Sequence, residues 1–127
     1  MKAWILDRYG KRNQLRLAEV ATPAMRETDV LVQVRAASIN PLDAKIRGGE
    51  FRPILPYRLP LILGNDLAGV VVQVGSRASR FKPGDEVYAR PDKDRIGTFA
   101  ELIAIDESDL ALKPARLSME EAASIPL

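Results

Sequence analysis

A chain of 127 residues with 46% apolar side chains is sized for one compact domain with a core of its own. It holds no cysteine and no histidine, which excludes disulfides, thiolate nucleophiles, imidazole bases and Cys/His metal sites. Nineteen basic and seventeen acidic residues leave a formal charge of +2; interspersed rather than blocked, and joined by few aromatics, they speak against a nucleic-acid surface.

The N-terminus is charged at Lys2 and Asp7, too soon for a signal peptide, and no apolar run approaches a membrane span. These features predict a soluble, cytoplasmic protein without a membrane partner. Strand-like runs then follow in order. Lys2 to Leu6 is the first, and Leu15 to Ala21 the second, stopped by Thr22-Pro23 because proline cannot donate to a ladder. Val30, Val32, Val34 and Ala36 alternate with Gln33 and Arg35 along a third. Asn40 is placed to cap a short helix over Pro41 to Arg47, with proline at its first position. The segment from Phe51 to Pro60 carries three prolines and predicts an extended loop. Its aromatics either anchor the loop or line a pocket.

Leu67 to Val74 is the second strong strand, with Ala68, Val70, Val72 and Val74 expected on one face. Lys82-Pro83-Gly84-Asp85 fits a type II turn. Glu86 to Ala89, Thr98 to Ile105 and Leu110 to Lys113 complete the strands. Ser118 and Glu121 form a capping box for a helix over Met119 to Ser124. Short strands with turns between them predict a sandwich or barrel rather than βαβ units. A capped helix at the end of the sequence reads as the lead-in to a further element. No G-x-G-x-x-G and no phosphate-binding loop occurs between Met1 and Leu127.

Three polar clusters are candidate sites. Ser38-Ile39-Asn40-Pro41-Leu42-Asp43-Ala44-Lys45 lies where the third strand opens into a helix. That position can aim amide, carboxylate and ammonium groups at one place, or simply cap the helix. Leu63-Gly64-Asn65-Asp66 precedes an apolar strand; Asp66 either orients a neighbour, pairs with a cation or shapes a strand-entry turn. Gly97-Thr98-Phe99-Ala100-Glu101 is a glycine turn into a strand, with Glu101 on the solvent face.

In order, these motifs resemble the N-terminal, GroES-like domain of the medium-chain dehydrogenase/reductase superfamily. Asp29-Val30-Leu31-Val32 is similar to its D-V-L-V-x-V strand, and Ser38 to Asp43 to its S-I/V-N-P-x-D signature. Gly64 to Val71, Phe81 to Val87 and Gly97 to Glu101 match three further family patterns, with Leu102 in place of a usual tyrosine. The resemblance spans residues 1–127 as one domain and implies a mainly β fold, a partly closed antiparallel β-barrel with a few short helices. In zinc alcohol dehydrogenases of the superfamily, a cysteine and a histidine of this domain hold the metal. Asn40 and Asn65 stand at those positions, and neutral amides are poor zinc ligands.

The resemblance therefore points to the zinc-free quinone oxidoreductase and alkenal/enone reductase branch. It implies hydride transfer from NADPH to a quinone or an α,β-unsaturated carbonyl, and a homodimeric parent. It also implies a separate Rossmann domain, absent from this chain, that binds most of the cofactor. Carried over to this sequence, Asn40 contacts the nicotinamide side of the cofactor and Asp43 supports it. Lys45 donates to a developing enolate oxygen or points to solvent. Tyr57 and Asn65 are substrate-pocket candidates, and no metal ligand is expected. The competing reading is a free-standing GroES-like assembly module of the co-chaperonin kind, without enzyme activity.

Overall fold

The computed structural model describes residues 1–10, 12, 14–54 and 57–126. Eight strands and two α-helices follow one another as β1 Lys2–Leu6, β2 Arg16–Glu19, β3 Asp29–Ser38, α1 Pro41–Gly48, β4 Leu61–Ile62, β5 Asp66–Val74, β6 Glu86–Ala89, β7 Leu102–Asp106, β8 Leu110–Leu112 and α2 Met119–Ala123. One sheet runs β2-β1-β4 and the other β7-β3-β5-β6-β8, and every pairing is antiparallel.

The residues Phe99–Glu101 stitch the sheets together. Trp4 N–H donates to the Phe99 carbonyl (2.8 Å), Glu101 N–H to the Lys2 carbonyl (3.0 Å) and Val34 N–H to the Glu101 carbonyl (2.9 Å). The result is the partly closed antiparallel barrel. Two register shifts between β3 and β5 fall at Leu31/Val32 and Val34/Ala36. Such bulges strengthen twist and let a sheet curl toward closure.

The barrel interior is filled by Val30, Val32, Leu67, Val71, Val87, Ile103 and Ile105. A second cluster of Leu6, Ile46 and Leu63 lies beneath α1, with Tyr57, Leu59 and Phe99 packed against it. Ala122 and Ala123 of α2 pack on Ala68 of β5; small residues on both sides let the helix lie close to the sheet.

Four expectations need correction. The face proposed for β5 is broken at Val74: Ala68 packs on α2 and Val72 is exposed, while Val74 packs on the barrel core with Leu67 and Val71. The cause is the first bulge, where Leu31 faces Gln73 and Val32 faces Val71, which leaves Val72 unpaired and reverses the alternation beyond it. The two-residue strand β4 was not expected. The strand predicted from Thr98 begins only at Leu102, because residues 98–101 are spent on the bridge between sheets. The proline-rich segment is not extended over Phe51–Ile54, where Ile54 N–H closes a turn on the Phe51 carbonyl (2.9 Å). Part of that loop, Leu55 and Pro56, lies outside the described residues.

Candidate functional site

The end of β3 and the start of β5 are neighbours, with Ser38 opposite Asp66. Just beyond Ser38 the chain enters α1, with Asn40 in extended conformation at its N-cap and Pro41 at its first position. Just before Asp66, Gly64 holds a φ of +115°, and a Cβ there would lie 2.2 Å from Thr98 Oγ1. Glycine is required at this point by both conformation and space. Its carbonyl accepts from Gly97 N–H (3.0 Å), which fixes the entry to β5.

Five polar residues meet here. Asp43 Oδ2 accepts from the Asn40 backbone N–H (2.8 Å) and Asp43 Oδ1 from Asn65 Nδ2 (2.7 Å). Asn40 Nδ2 donates to Asp66 Oδ2 (2.8 Å). Ser38 Oγ lies 3.0 Å from that same oxygen and 2.8 Å from the Ala123 carbonyl. Asp43 and Asn65 are each 3% exposed and Asp66 is fully buried. Asp66 Oδ1 has no hydrogen-bond partner among the described residues. Burial pushes the Asp43 carboxyl up from its ordinary value, and the nearby Asp66 adds to this; the N–H donors from Asn40 and Asn65 oppose it.

The structure thus brings Asn40, Asp43 and Asn65 together, but not Lys45 or Tyr57. Lys45 is exposed, with Nζ 5.9 Å from the centre of the Phe51 ring. The Tyr57 hydroxyl donates to the Lys93 carbonyl (2.6 Å), and its ring packs under α1. That tie supports the anchoring role for the loop's aromatics. Asn65 is buried against Asp43 rather than standing on a pocket wall. Ser38 had no assigned role in the sequence. The signal was there in part: polar residues terminate both strong strands at the ends that meet. A separate open groove of about 700 Å³ is lined by Trp4, Leu17, Val34, Ile39 and Phe99, among others. None of the five clustered polar residues lines it.

Residues 26–115 match the alcohol dehydrogenase GroES-like domain family. The chain is 42% identical to a chloroplastic NADPH-dependent alkenal/one oxidoreductase of Arabidopsis thaliana, over 100% of this chain and 34% of that protein. It is 35% identical to a mitochondrial NAD(P)H oxidoreductase of Homo sapiens, over 99% of this chain and 35% of that protein. The solved structure of the quinone oxidoreductase from Coxiella burnetii superposes with a TM-score of 0.93 at 34% identity, covering 99% of this chain and 41% of that one. The chain spans about a third of the length of the curated relatives it matches. The expectation of a cytoplasmic location is corrected by these relatives, which are chloroplastic and mitochondrial. Among the described residues no helix is long and apolar enough to cross a membrane. The relatives it matches include quinone and alkenal/enone oxidoreductases; motifs, barrel and family match agree, and the chain belongs to the alcohol dehydrogenase GroES-like domain family.

Proposed function

We propose that this chain is the GroES-like part of an NADPH-dependent reductase of α,β-unsaturated carbonyls or quinones that works without zinc, and that it supplies one wall of the active site. The observation that carries the reading is the Asn40 amide. It sits half-buried at the N-cap of α1, its nitrogen turned to Asp66, at the position where zinc-dependent relatives use cysteine.

Bound NADPH supplies the hydride, and the protein's task is orientation. Asn40 presents its amide to the nicotinamide side of the cofactor. Asp43 accepts from the Asn40 N–H and so fixes the backbone from which that amide projects; Asn65 holds Asp43 in turn. Lys45 is given no part in this reading; its exposed ammonium stands 5.9 Å from the centre of the Phe51 ring.

The donor set does not suit zinc. Both oxygens of Asp43 and one of Asp66 are already engaged by amide donors, and the sequence offers no thiolate or imidazole. Elemental analysis of the chelator-washed protein should therefore find no stoichiometric zinc, and finding it would overturn this part of the reading.

The test of function is NADPH oxidation with methyl vinyl ketone by the complete protein that carries this chain. Misplacing a reacting group by about 1 Å can cost on the order of a hundredfold in rate. Asn40→Ala should lower kcat by about ten- to a hundredfold while leaving the melting temperature close to that of the parent. Unchanged turnover would remove Asn40 from the site.

A further inference from the structure

The Asn40 amide does not stand alone. The fully buried Asp66 carboxylate takes Asn40 Nδ2 and Ser38 Oγ on one oxygen, Oδ2, while Oδ1 has no partner among the described residues. A carboxylate oxygen accepts and does not donate, so Asp66 fixes which end of the Asn40 amide faces inward: the nitrogen. The grip is lopsided: one oxygen, with two lone pairs, takes both donors while the other is idle.

Ser38 is the second donor, and it has one hydroxyl proton for two acceptors. Its oxygen lies 2.8 Å from the carbonyl of Ala123, in the last turn of α2, and 3.0 Å from Asp66 Oδ2. A hydroxyl donates one hydrogen bond at a time. When that proton serves Asp66, the carboxylate is pinned at Oδ2 and presents a fixed acceptor to Asn40. When it serves Ala123 instead, Asp66 keeps only Asn40 and the amide is less firmly placed, so the position of the end of α2 decides how the proton is shared. The path from Ala123 through Ser38 and Asp66 to Asn40 is continuous at hydrogen-bond distance, and its members come from α2, β3, β5 and the cap of α1.

We infer that Ser38 and Asp66 are positioning residues that set the Asn40 amide from the seating of α2. This rests on the reading that Asn40 contacts the cofactor. Neither residue touches the reacting atoms; each acts through Asn40.

The test is a double-mutant cycle on NADPH oxidation with methyl vinyl ketone by the complete reductase. Ser38→Ala should lower kcat about tenfold with little change in the KM for methyl vinyl ketone, and Ser38→Thr, which keeps the hydroxyl, should restore most of it. In the Asn40→Ala background, Ser38→Ala should cost nothing further, because the group it positions is gone. If Ser38→Ala does not fold, Asp66→Asn carries the same cycle, since it preserves shape while changing what the inward group can accept. Equal losses in both backgrounds, or no loss from Ser38→Ala in a folded protein, would overturn the inference while leaving Asn40 in place. Unchanged turnover in Asn40→Ala itself would instead overturn the underlying reading of the site.

Discussion

Single side chains in this domain respond to pH in opposite senses. Asp106 accepts from Ser108 N–H (2.9 Å), the Ser108 hydroxyl (2.7 Å) and the Thr28 hydroxyl (2.8 Å), and these donors lower its carboxyl to about 2. A carboxyl that ionises more easily when folded adds stability above its ordinary value of 3.8, and loses it as pH falls through about 2. Asp43 runs the other way: its raised carboxyl favours the protonated form, so its share of stability declines as pH rises past the ordinary carboxylate range. Asp106→Asn should therefore flatten the loss of stability between pH 4 and pH 2, measured as the urea midpoint at each pH. An unchanged slope would mean that the three donors do not distinguish carboxylate from acid. At Gly64 the argument is steric. Alanine would strain a φ of +115° and meet Thr98, so Gly64→Ala should destabilise by at least about 1–3 kcal/mol in thermal or denaturant unfolding.

Between elements, the firmest polar tie joins the start of β3 to the loop before Gly97. Arg95 grips the fully buried Asp29 with two hydrogen bonds of 2.7 Å each. This pairing, reinforced by the Arg26 N–H, lowers the Asp29 carboxyl. Arg95→Ala would leave a buried carboxylate without its cation, a loss of about 3–5 kcal/mol. Arg95→Ala combined with Asp29→Leu should recover much of that loss in denaturant unfolding, since a buried pair is often no better than an apolar replacement. The tie shows what the sequence could and could not tell. Asn40 and Asp43 are three residues apart, so helix-cap chemistry made their link legible. Asp29 and Arg95 are 66 apart and Ser38 and Asp66 are 28 apart; only register brings them together. In the sequence Arg95 was one charge in a mixed run. The β5 face was misread for a related reason, since alternation has no sign for a bulge until the partner strand is known. The family motifs carried the barrel and the domain family, because each records a place where backbone and side chain are jointly constrained.

At the scale of the molecule, the barrel carries a candidate half-site and no glycine-rich dinucleotide turn. A pyrophosphate is best held where such a turn opens a helix. The 127-residue chain alone should accordingly show no NADPH oxidation with methyl vinyl ketone and negligible NADPH affinity by titration calorimetry. Turnover by this chain alone would defeat the proposal that it forms only one wall.

The stitching of the two sheets by Phe99–Glu101 also governs how the chain comes to be folded. Lys2 and Glu101 are partners 99 residues apart, so β1 waits for the segment at Phe99–Glu101 before its pairing is complete. At a synthesis rate of about 5–20 residues per second, that wait is roughly 5–20 seconds. Until then β1 has only β2 and β4 for company, and the edge that will face residue 100 is open. Pairings this distant belong to the slow end of the range, milliseconds to seconds, and that edge of β1 stays open until the hundredth residue has emerged.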